Sequence, residues 1–196
     1  MYLNHIKLIT FILLTLIFTS CSNKTNSSNN TQVEEIISVD SVLSNGENLI
    51  GKTISIEGFC THTCRHGARK MFLMGSDNSL ILRIEAGKDW ERGFSGNCIK
   101  NIVKVIGSVH ETRIDEAYLQ KWETQIAQQK SSTTTDENEK QHCSTDSQAR
   151  QEQGTTVEEK IANYRQRIAQ RKETEGKEYL SFYFFEADSY EVIDSE

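Results

Sequence analysis

The feature that most constrains the fold is the alternation of polar and apolar residues between positions 53 and 114, interrupted by turns. Thr53-Ile54-Ser55-Ile56-Glu57 predicts a half-buried strand that continues through Gly58, where a bulge is expected. A short helix from Asp40 to Ile50, capped by Asp40 or Ser41, is predicted before it. The remaining predicted strands are Lys70 to Met74, Ser79 to Ala86, Ile99 to Ile114 and the strongly apolar Tyr179 to Phe185, which is expected to be buried on both faces.

Between the fourth and fifth predicted strands, apolar residues recur at the spacing typical of a helix. One helix is predicted over Glu116 to Lys130, and a second over Thr156 to Glu175, with a capping box at Thr155 and Glu158. Residues 131–154 are rich in Ser, Thr, Gln and acids and are expected to be disordered. Residues 115–176 thus predict an antiparallel helical hairpin. Its residues at helical spacing are Leu119, Trp122, Ile126, Val157, Ile161, Tyr164 and Ile168.

The order of these elements resembles an OB-fold, a five-stranded Greek-key barrel. Leu-Ile-Gly-Lys-Thr-Ile-Ser-Ile-Glu-Gly (49–58) and Val-Lys-Val-Ile-Gly (103–107) are similar to the first and fourth strands of that fold. The resemblance covers residues 40–115 and 177–193. It implies one mainly β domain with α over 40–196, in which the helical hairpin is inserted between strands 4 and 5. More narrowly, the chain resembles extracytoplasmic bacterial lipoproteins that carry an OB-fold module.

The first twenty residues have the layout of a secretory signal peptide. Lys7 supplies positive charge, Leu8 to Phe18 is apolar apart from two threonines, and Thr19 and Ser20 are small. Such a run rises only about 16 Å as a helix, whereas a membrane span needs about 20 residues. Residues 1–20 are therefore expected to be cleaved.

Cys21 follows this segment directly, and Phe-Thr-Ser-Cys resembles the lipobox of bacterial lipoproteins. The resemblance implies that Cys21 carries acyl chains such as palmitate and anchors the mature protein in the cell envelope, facing outside the cytoplasm. The alternative is a secreted protein with a chance cysteine. Ser22, rather than Asp, favours the outer membrane by analogy with lipoprotein sorting. Residues 21–39 are expected to be a flexible tether, since Ser22 to Thr31 offers almost nothing to bury.

The most specific candidate for chemistry is the run Cys60-Thr61-His62-Thr63-Cys64-Arg65-His66. Thiolate and imidazole are zinc ligands, so Cys60, His62, Cys64 and His66, together with Cys98, predict a zinc site if the chain bends at the following turn. A disulfide, or buried free cysteines beside two surface histidines, are the alternatives. The spacing fits neither haem attachment by CxxCH nor a CxxC redox motif.

Cys98 is predicted to lie beside this run although 38 residues separate it from Cys60. The first and fourth strands of an OB-fold pair antiparallel, and pairing their midpoints sets Ile54 against Ile106. Cys60 then faces Lys100 and Cys98 faces His62, with a possible slip of one or two residues. Cys98 is thus a fourth zinc ligand or a disulfide partner, unless it simply fills the end of the barrel.

Charge and motifs limit the functional classes. The net charge of -6 does not favour a nucleic-acid partner for the whole chain. No nucleophile motif accompanies the histidines, so no enzymatic activity is predicted. The sequence predicts a non-catalytic OB-fold binding module, with Arg65, Arg69 and Lys70 as ligand-binding candidates and a protein partner at the helical hairpin. The alternatives are an envelope thiol-disulfide or metal-handling protein, and binding of single-stranded nucleic acid or another oligomer by the barrel.

Overall fold

Six strands and four helices make up the part of the chain that the computed structural model describes, residues 36–65, 67–131 and 144–193. The strands are β1 (Ile36–Ser38), β2 (Thr53–Thr63), β3 (Lys70–Met74), β4 (Ile81–Ala86), β5 (Ile102–Ile114) and β6 (Leu180–Ile193). The helices are α1 (Val39–Asn45), α2 (Glu116–Ser131), α3 (Ser144–Ala149) and α4 (Val157–Glu175). Short 3-10 turns lie at Gly46–Asn48 and Gly96–Cys98.

Strands β2 to β6 close into a five-stranded mixed barrel. Their order around the barrel is β2-β3-β4-β6-β5, and β5 pairs again with β2. The pairing of β4 with β6 is parallel, whereas the other barrel neighbours are antiparallel. β1 adds to β2 in parallel outside this ring. A mainly β barrel with helices is therefore confirmed.

The barrel interior is apolar because each strand alternates its side chains between the two faces. β5 shows this pattern most clearly, with Val103, Val105 and Val109 fully buried. The other fully buried core residues are Val42, Ile56, Cys60, Met71, Leu73, Leu82, Ile84, Cys98, Phe185 and Ala187. This core comes from every barrel strand, together with α1 and the turn before β5.

The register of β2 against β5 differs by one residue from the predicted one. Ile54 pairs with Gly107 rather than Ile106. The physical reason lies before β5, which begins at Ile102 because the chain first makes the 3-10 turn and then holds Lys100 at φ 68°. The bulge of β2 falls between Cys60 and His62 and not at Gly58.

Helices α2 and α4 share a second apolar cluster outside the barrel. Its buried members are Leu119 of α2, Ile161 and Tyr164 of α4, and Ile114 and Leu180 at the adjoining ends of β5 and β6. The capping box of α4 lies one residue later than predicted, because Thr156 accepts from the Glu159 amide and Glu159 accepts from the Thr156 amide. Gly176 ends α4 at φ 70°, a conformation that glycine adopts without steric cost.

Three other boundaries correct the sequence predictions. Ser38 caps α1 in place of Asp40 or Ser41, and Ile36–Ser38 forms β1, so the tether does not extend to residue 39. β6 runs on to Ile193 and is only partly buried on its outer side. The range predicted to be disordered contains α3, which is held by ionic contacts that composition does not reveal.

Several expectations lie outside the described residues. These are the signal peptide, Cys21, the tether up to residue 35, His66 and residues 132–143 of the segment expected to be disordered. Of the helices in the described ranges, none combines the length and apolar character that crossing a membrane requires.

Candidate functional site

Cys60 and His62 point to opposite faces of β2. Cys60 pairs with Leu73 and lies in the barrel core, where its thiol donates to the His62 carbonyl at 3.7 Å. His62 pairs with Phe72, and their rings stack on the outer face with centroids 5.9 Å apart. The bulge between them removes the shared face that simple alternation predicted. These two residues therefore do not fit one tetrahedral zinc ion in this arrangement.

Cys98 lies next to Cys60, as predicted. The Cys60 amide donates to the Asn101 carbonyl at 2.9 Å, and the Lys100 amide donates to the Cys60 carbonyl at 2.7 Å. Both cysteines are fully buried in one cluster and carry free thiols. Burial, reinforced by the neighbouring Cys98, raises the pKa of Cys60 to about 12, and burial also raises the pKa of Cys98. Both free thiols therefore lie in the buried core of the barrel.

Of the remaining predicted ligands the structure describes Cys64, which is not part of this buried pair. Cys64 is partly exposed and follows the end of β2, with its amide donating to the Lys70 carbonyl at 2.8 Å. Among residues 36–65, 67–131 and 144–193, no three or more Cys, His, Asp or Glu side chains are grouped so that they could hold one metal ion. Zinc binding stays a prediction.

The three basic candidates have separate roles. Arg65 lies in the turn after β2. The Arg69 guanidinium donates to three main-chain carbonyls, those of Ala86, Gly87 and Trp90, at 2.7–3.1 Å. This guanidinium therefore holds the loop after β4, and ligand binding by Arg69 stays a prediction. Lys70 alone reaches the outer face of the barrel, where it meets Asp146.

A row of aromatic and basic side chains crosses the outer face of the barrel, one from each barrel strand. Register pairs His62 with Phe72, Phe72 with Arg83, Arg83 with Phe184, and Phe184 with His110. The Arg83 guanidinium lies 4.9 Å from the centroid of the Phe184 ring, and His110 stacks on the same ring at 5.3 Å. Five strands spaced about 4.8 Å apart make this "outer row" about 19 Å long as measured along the curved surface of the barrel.

Asp146 of α3 closes over the middle of the outer row. Its carboxylate is 2.9 Å from Lys70 Nζ, 3.1 Å from Arg83 Nη1 and 3.5 Å from Arg150 Nη2. Burial by itself would raise the pKa of Asp146, but the Lys70 hydrogen bond and the charges of Arg150 and Arg83 bring it below its usual value. Asp146 is therefore an ionised, buried carboxylate on the barrel surface.

An open cleft of about 530 Å³ lies beside this contact. Thr61 and His62 of β2, Met74 of β3 and Ile81 of β4 line its barrel side, and α3 lines the other. The outer row is thus partly covered by α3 and partly open to solvent at His62. This face offers ring stacking, a guanidinium and an imidazole to a ligand.

A smaller groove of about 360 Å³ runs between α2 and α4. Ile126, Val157 and Ile161 line its floor, and Arg165, which binds both Glu116 and Glu123, crosses one end. The structure does not indicate what would occupy this groove, so the protein partner predicted for the arm stays a prediction.

Sequence reasoning missed most of the outer row. Phe72 is fully buried, yet it lies on the outer face, where α3 contacts β3 and β4. The available signal was alternation, since Phe72 lies between the core residues Met71 and Leu73, and Arg83 lies between Leu82 and Ile84. Asp146 had no sequence signal, because one Asp in a polar segment does not indicate burial.

Comparison with known proteins does not place the chain in a family. No family model matches it, and no curated protein matches it. One solved structure it resembles in part is a protein of Leishmania major Friedlin described as an aspartyl-tRNA synthetase, with 19% identity and a TM-score of 0.29. That match covers 44% of this chain and 18% of the other.

Proposed function

We propose that this protein is a non-catalytic binding module on an OB-fold, anchored to a membrane of the cell envelope. The observation that carries the proposal is the outer row, in which His62, Phe72, Arg83, Phe184 and His110 stack or pair across all five barrel strands. Aromatic rings next to a guanidinium bind flat ligand groups through stacking and cation–π attraction. A ligand that follows this row around the barrel would contact each strand once.

The strand arrangement supports the OB-fold assignment. The first and fourth barrel strands, β2 and β5, pair antiparallel to close the ring, as the resemblance implies. The segment from α2 to α4 then enters between the fourth and fifth barrel strands as an inserted helical arm. OB-folds bind ligands mainly on the face of their second and third strands, which here are β3 and β4. Phe72 and Arg83 of the outer row belong to these two strands.

Binding at the outer row is tested by nuclear magnetic resonance on the full chain in a neutral detergent. Short probes are titrated separately: oligothymidylate, polyphosphate, and neutral and sulfated oligosaccharides. We expect at least one probe to shift the amide signals around His62 and His110, and His110→Ala to weaken its binding by about threefold to tenfold. Gln166→Ala, an exposed residue of α4 on the helical arm, is the control. Binding that leaves the outer row unaffected, or none by any probe, contradicts the proposal.

The membrane anchor is a separate part of the proposal. Cys21 provides the thiol that would be acylated, and the apolar run before it provides the signal. Expression of Cys21→Ala is expected to abolish acylation and processing, as read by intact mass and by partition into detergent. Cys143→Ala is the matched cysteine control and should be acylated normally. A Cys21→Ala protein that still carries a diacyl mass would overturn the anchor.

A second candidate is an envelope thiol-disulfide or metal-handling protein, favoured by the adjacency of Cys60 and Cys98 in the barrel. The raised pKa values of both thiols count against thiol exchange, because the thiolate is the reactive form. Metal analysis of the purified protein together with free-thiol titration distinguishes these uses. Zinc at about one equivalent that is lost in Cys98→Ser would favour metal handling over ligand binding at the outer row.

A further inference from the structure

The helix α3 is held on the barrel by charge rather than by apolar contact. It has six residues, and Asp146 is the one with a buried side chain. It lies on β3 and β4, the strands that carry Lys70 and Arg83. A helix this short contributes little stability of its own, so the ion pairs decide whether it stays in place. The contact is therefore one that a competing anion could replace.

The barrel side of this contact has the geometry of an anion site. Lys70 Nζ binds one carboxylate oxygen of Asp146 at 2.9 Å, and Arg83 Nη1 binds the other at 3.1 Å. Arg83 is 90% buried, since 10% of its side chain is exposed, and its Nε has no hydrogen-bond partner within the described part of the chain, although Glu85 Oε1 is 3.1 Å away. Lys and Arg that hold two oxygens of one acid group bind phosphate in the same way.

We propose that α3 is an internal competitor of the ligand, with the Asp146 carboxylate occupying the place that a ligand phosphate takes between Lys70 and Arg83. The inference rests on the proposed binding at the outer row and adds its regulation. In the closed state α3 lies on β3 and β4, and Asp146 neutralises Arg83. In the open state α3 leaves with Asp146 and Arg150, and the middle of the outer row becomes accessible.

The surroundings of the anion site indicate the class of ligand. Phe72 and Phe184 flank Arg83 in the outer row, so a phosphate bound at Arg83 places neighbouring flat groups over phenyl rings. A single strand that carries phosphates and flat rings in alternation matches this spacing of charge and rings. A polyanion without rings would use Lys70 and Arg83 alone.

The test measures binding of a fluorescent oligothymidylate of about ten nucleotides to the full chain in neutral detergent. Asp146→Asn keeps the shape of the side chain and removes the competing charge. We expect it to tighten binding about tenfold, because apparent affinity is reduced by the fraction of protein that is closed. The control is Glu152→Gln, which removes an equally buried carboxylate paired with Lys160 in the same insertion and should leave the affinity unchanged.

Trypsin cleavage after Arg150 provides a second readout on the unaltered protein, in case Asp146→Asn does not fold. Arg150 is held against Asp146 in the closed state, so saturating oligothymidylate should increase cleavage there severalfold. Unchanged cleavage with bound probe, or a folded Asp146→Asn protein with unchanged affinity, would show that Asp146 does not compete with the ligand. The proposed binding at the outer row would still stand. If polyphosphate binds as tightly as oligothymidylate, the flat rings do not contribute to binding, and the proposed class of ligand is wrong. If no probe binds either protein, the proposed binding module itself is wrong.

Discussion

At the scale of single residues, Cys60 and Cys98 lie in the barrel interior, where no water stabilises an ionised thiol. Because the pKa of Cys60 is raised to about 12, only about one Cys60 thiol in ten thousand is ionised at pH 8. We expect iodoacetamide to label Cys64 in the native protein and to leave Cys60 and Cys98 unlabelled. Peptide mapping by mass spectrometry measures this, with labelling of the denatured protein as the control.

Two outcomes of that labelling would change the interpretation of these thiols. Native Cys60 that reacts as fast as Cys64 would show that the barrel end is open. Cys60 and Cys98 that stay unlabelled after denaturation, until a reductant is added, would show that they form a disulfide.

Asp146 makes the docking of α3 dependent on pH. Its folded pKa is lower than its usual value of 3.8, so its ion pairs stabilise the folded state above that pH, and the stabilisation is lost as pH falls through the folded pKa. At pH 7, Asp146→Asn is expected to destabilise the docked state of α3 by roughly 3 kcal/mol. This value is the low end for a broken buried ion pair, because Lys70 and Arg150 are partly exposed. Hydrogen exchange of residues 144–149 over pH 2–7 measures the effect.

The parent protein and Asp146→Asn are compared over the same pH series, because Asp40 and other carboxylates also have lowered pKa values. The difference between the two proteins should shrink below pH 4. A constant difference across the series would mean that Asp146 does not carry the pH dependence.

Residue roles were harder to predict than residue neighbours. Cys98 could be placed beside Cys60 because antiparallel pairing fixes which ends of two strands meet. One bulge in β2 sends Cys60 inward and His62 outward, so these two predicted ligands do not share a face. Nothing in the order of those residues locates a bulge to one position, so a pattern of ligands at alternate positions could not decide the site.

At the scale of elements, Thr156 fixes the start of α4. Its hydroxyl accepts from the Glu159 amide at 3.1 Å, while Glu159 accepts from the Thr156 amide at 3.1 Å. Thr156→Ala should therefore lower the free energy of unfolding by about 1 kcal/mol and increase hydrogen exchange in the first turn of α4. Urea unfolding gives the first value, and mass-detected exchange gives the second.

Thr156→Ser is the matched control because a serine hydroxyl caps as well as a threonine. It should unfold within a few tenths of a kcal/mol of the parent protein. If Thr156→Ser loses as much stability as Thr156→Ala, the methyl group and not the cap stabilises this helix end.

Elements with apolar periodicity could be predicted, whereas elements held by polar contacts could not. α2 and α4 were predicted within about one residue because Leu119, Ile161 and Tyr164 recur at helical spacing. α3 was predicted to be disordered, since Ser-Thr-Asp-Ser-Gln-Ala has no apolar face. Its order depends on Lys70 and Arg83, which are more than 60 residues away in the chain.

At the scale of the whole molecule, the barrel and the arm have separate apolar clusters. Within the described residues 120–131 and 144–171, no buried member of the barrel cluster occurs, whereas Ile161 and Tyr164 of the arm cluster lie there. The closure of the barrel was predictable from strand order, because a resemblance of β2 and β5 to the first and fourth strands fixes which strands meet. The position of α3 on the outer face was not predictable, because it depends on charge pairs between segments that are distant in the chain.

Deleting Gln120–Arg171 and closing the gap with a Gly/Ser linker is expected to leave the barrel folded but less stable. The deletion exposes Leu119 and Phe182, which lose the packing of Tyr164. Circular dichroism and thermal unfolding should show a retained strand signal and a cooperative transition at a lower temperature. Loss of that transition would mean that the arm belongs to the folding core.

A deletion that ends at Gln170 is the matched control. It keeps Arg171, whose guanidinium donates to the Tyr179 carbonyl at 2.9 Å and to Ser181 Oγ at 3.2 Å, at the start of β6. This variant should unfold at a temperature a few degrees higher than the first, because two hydrogen bonds to a charged group are retained. Both deletions also remove α3, so both should bind oligothymidylate more tightly than the parent protein. Equal or weaker binding would mean that α3 does not restrict access to the outer row.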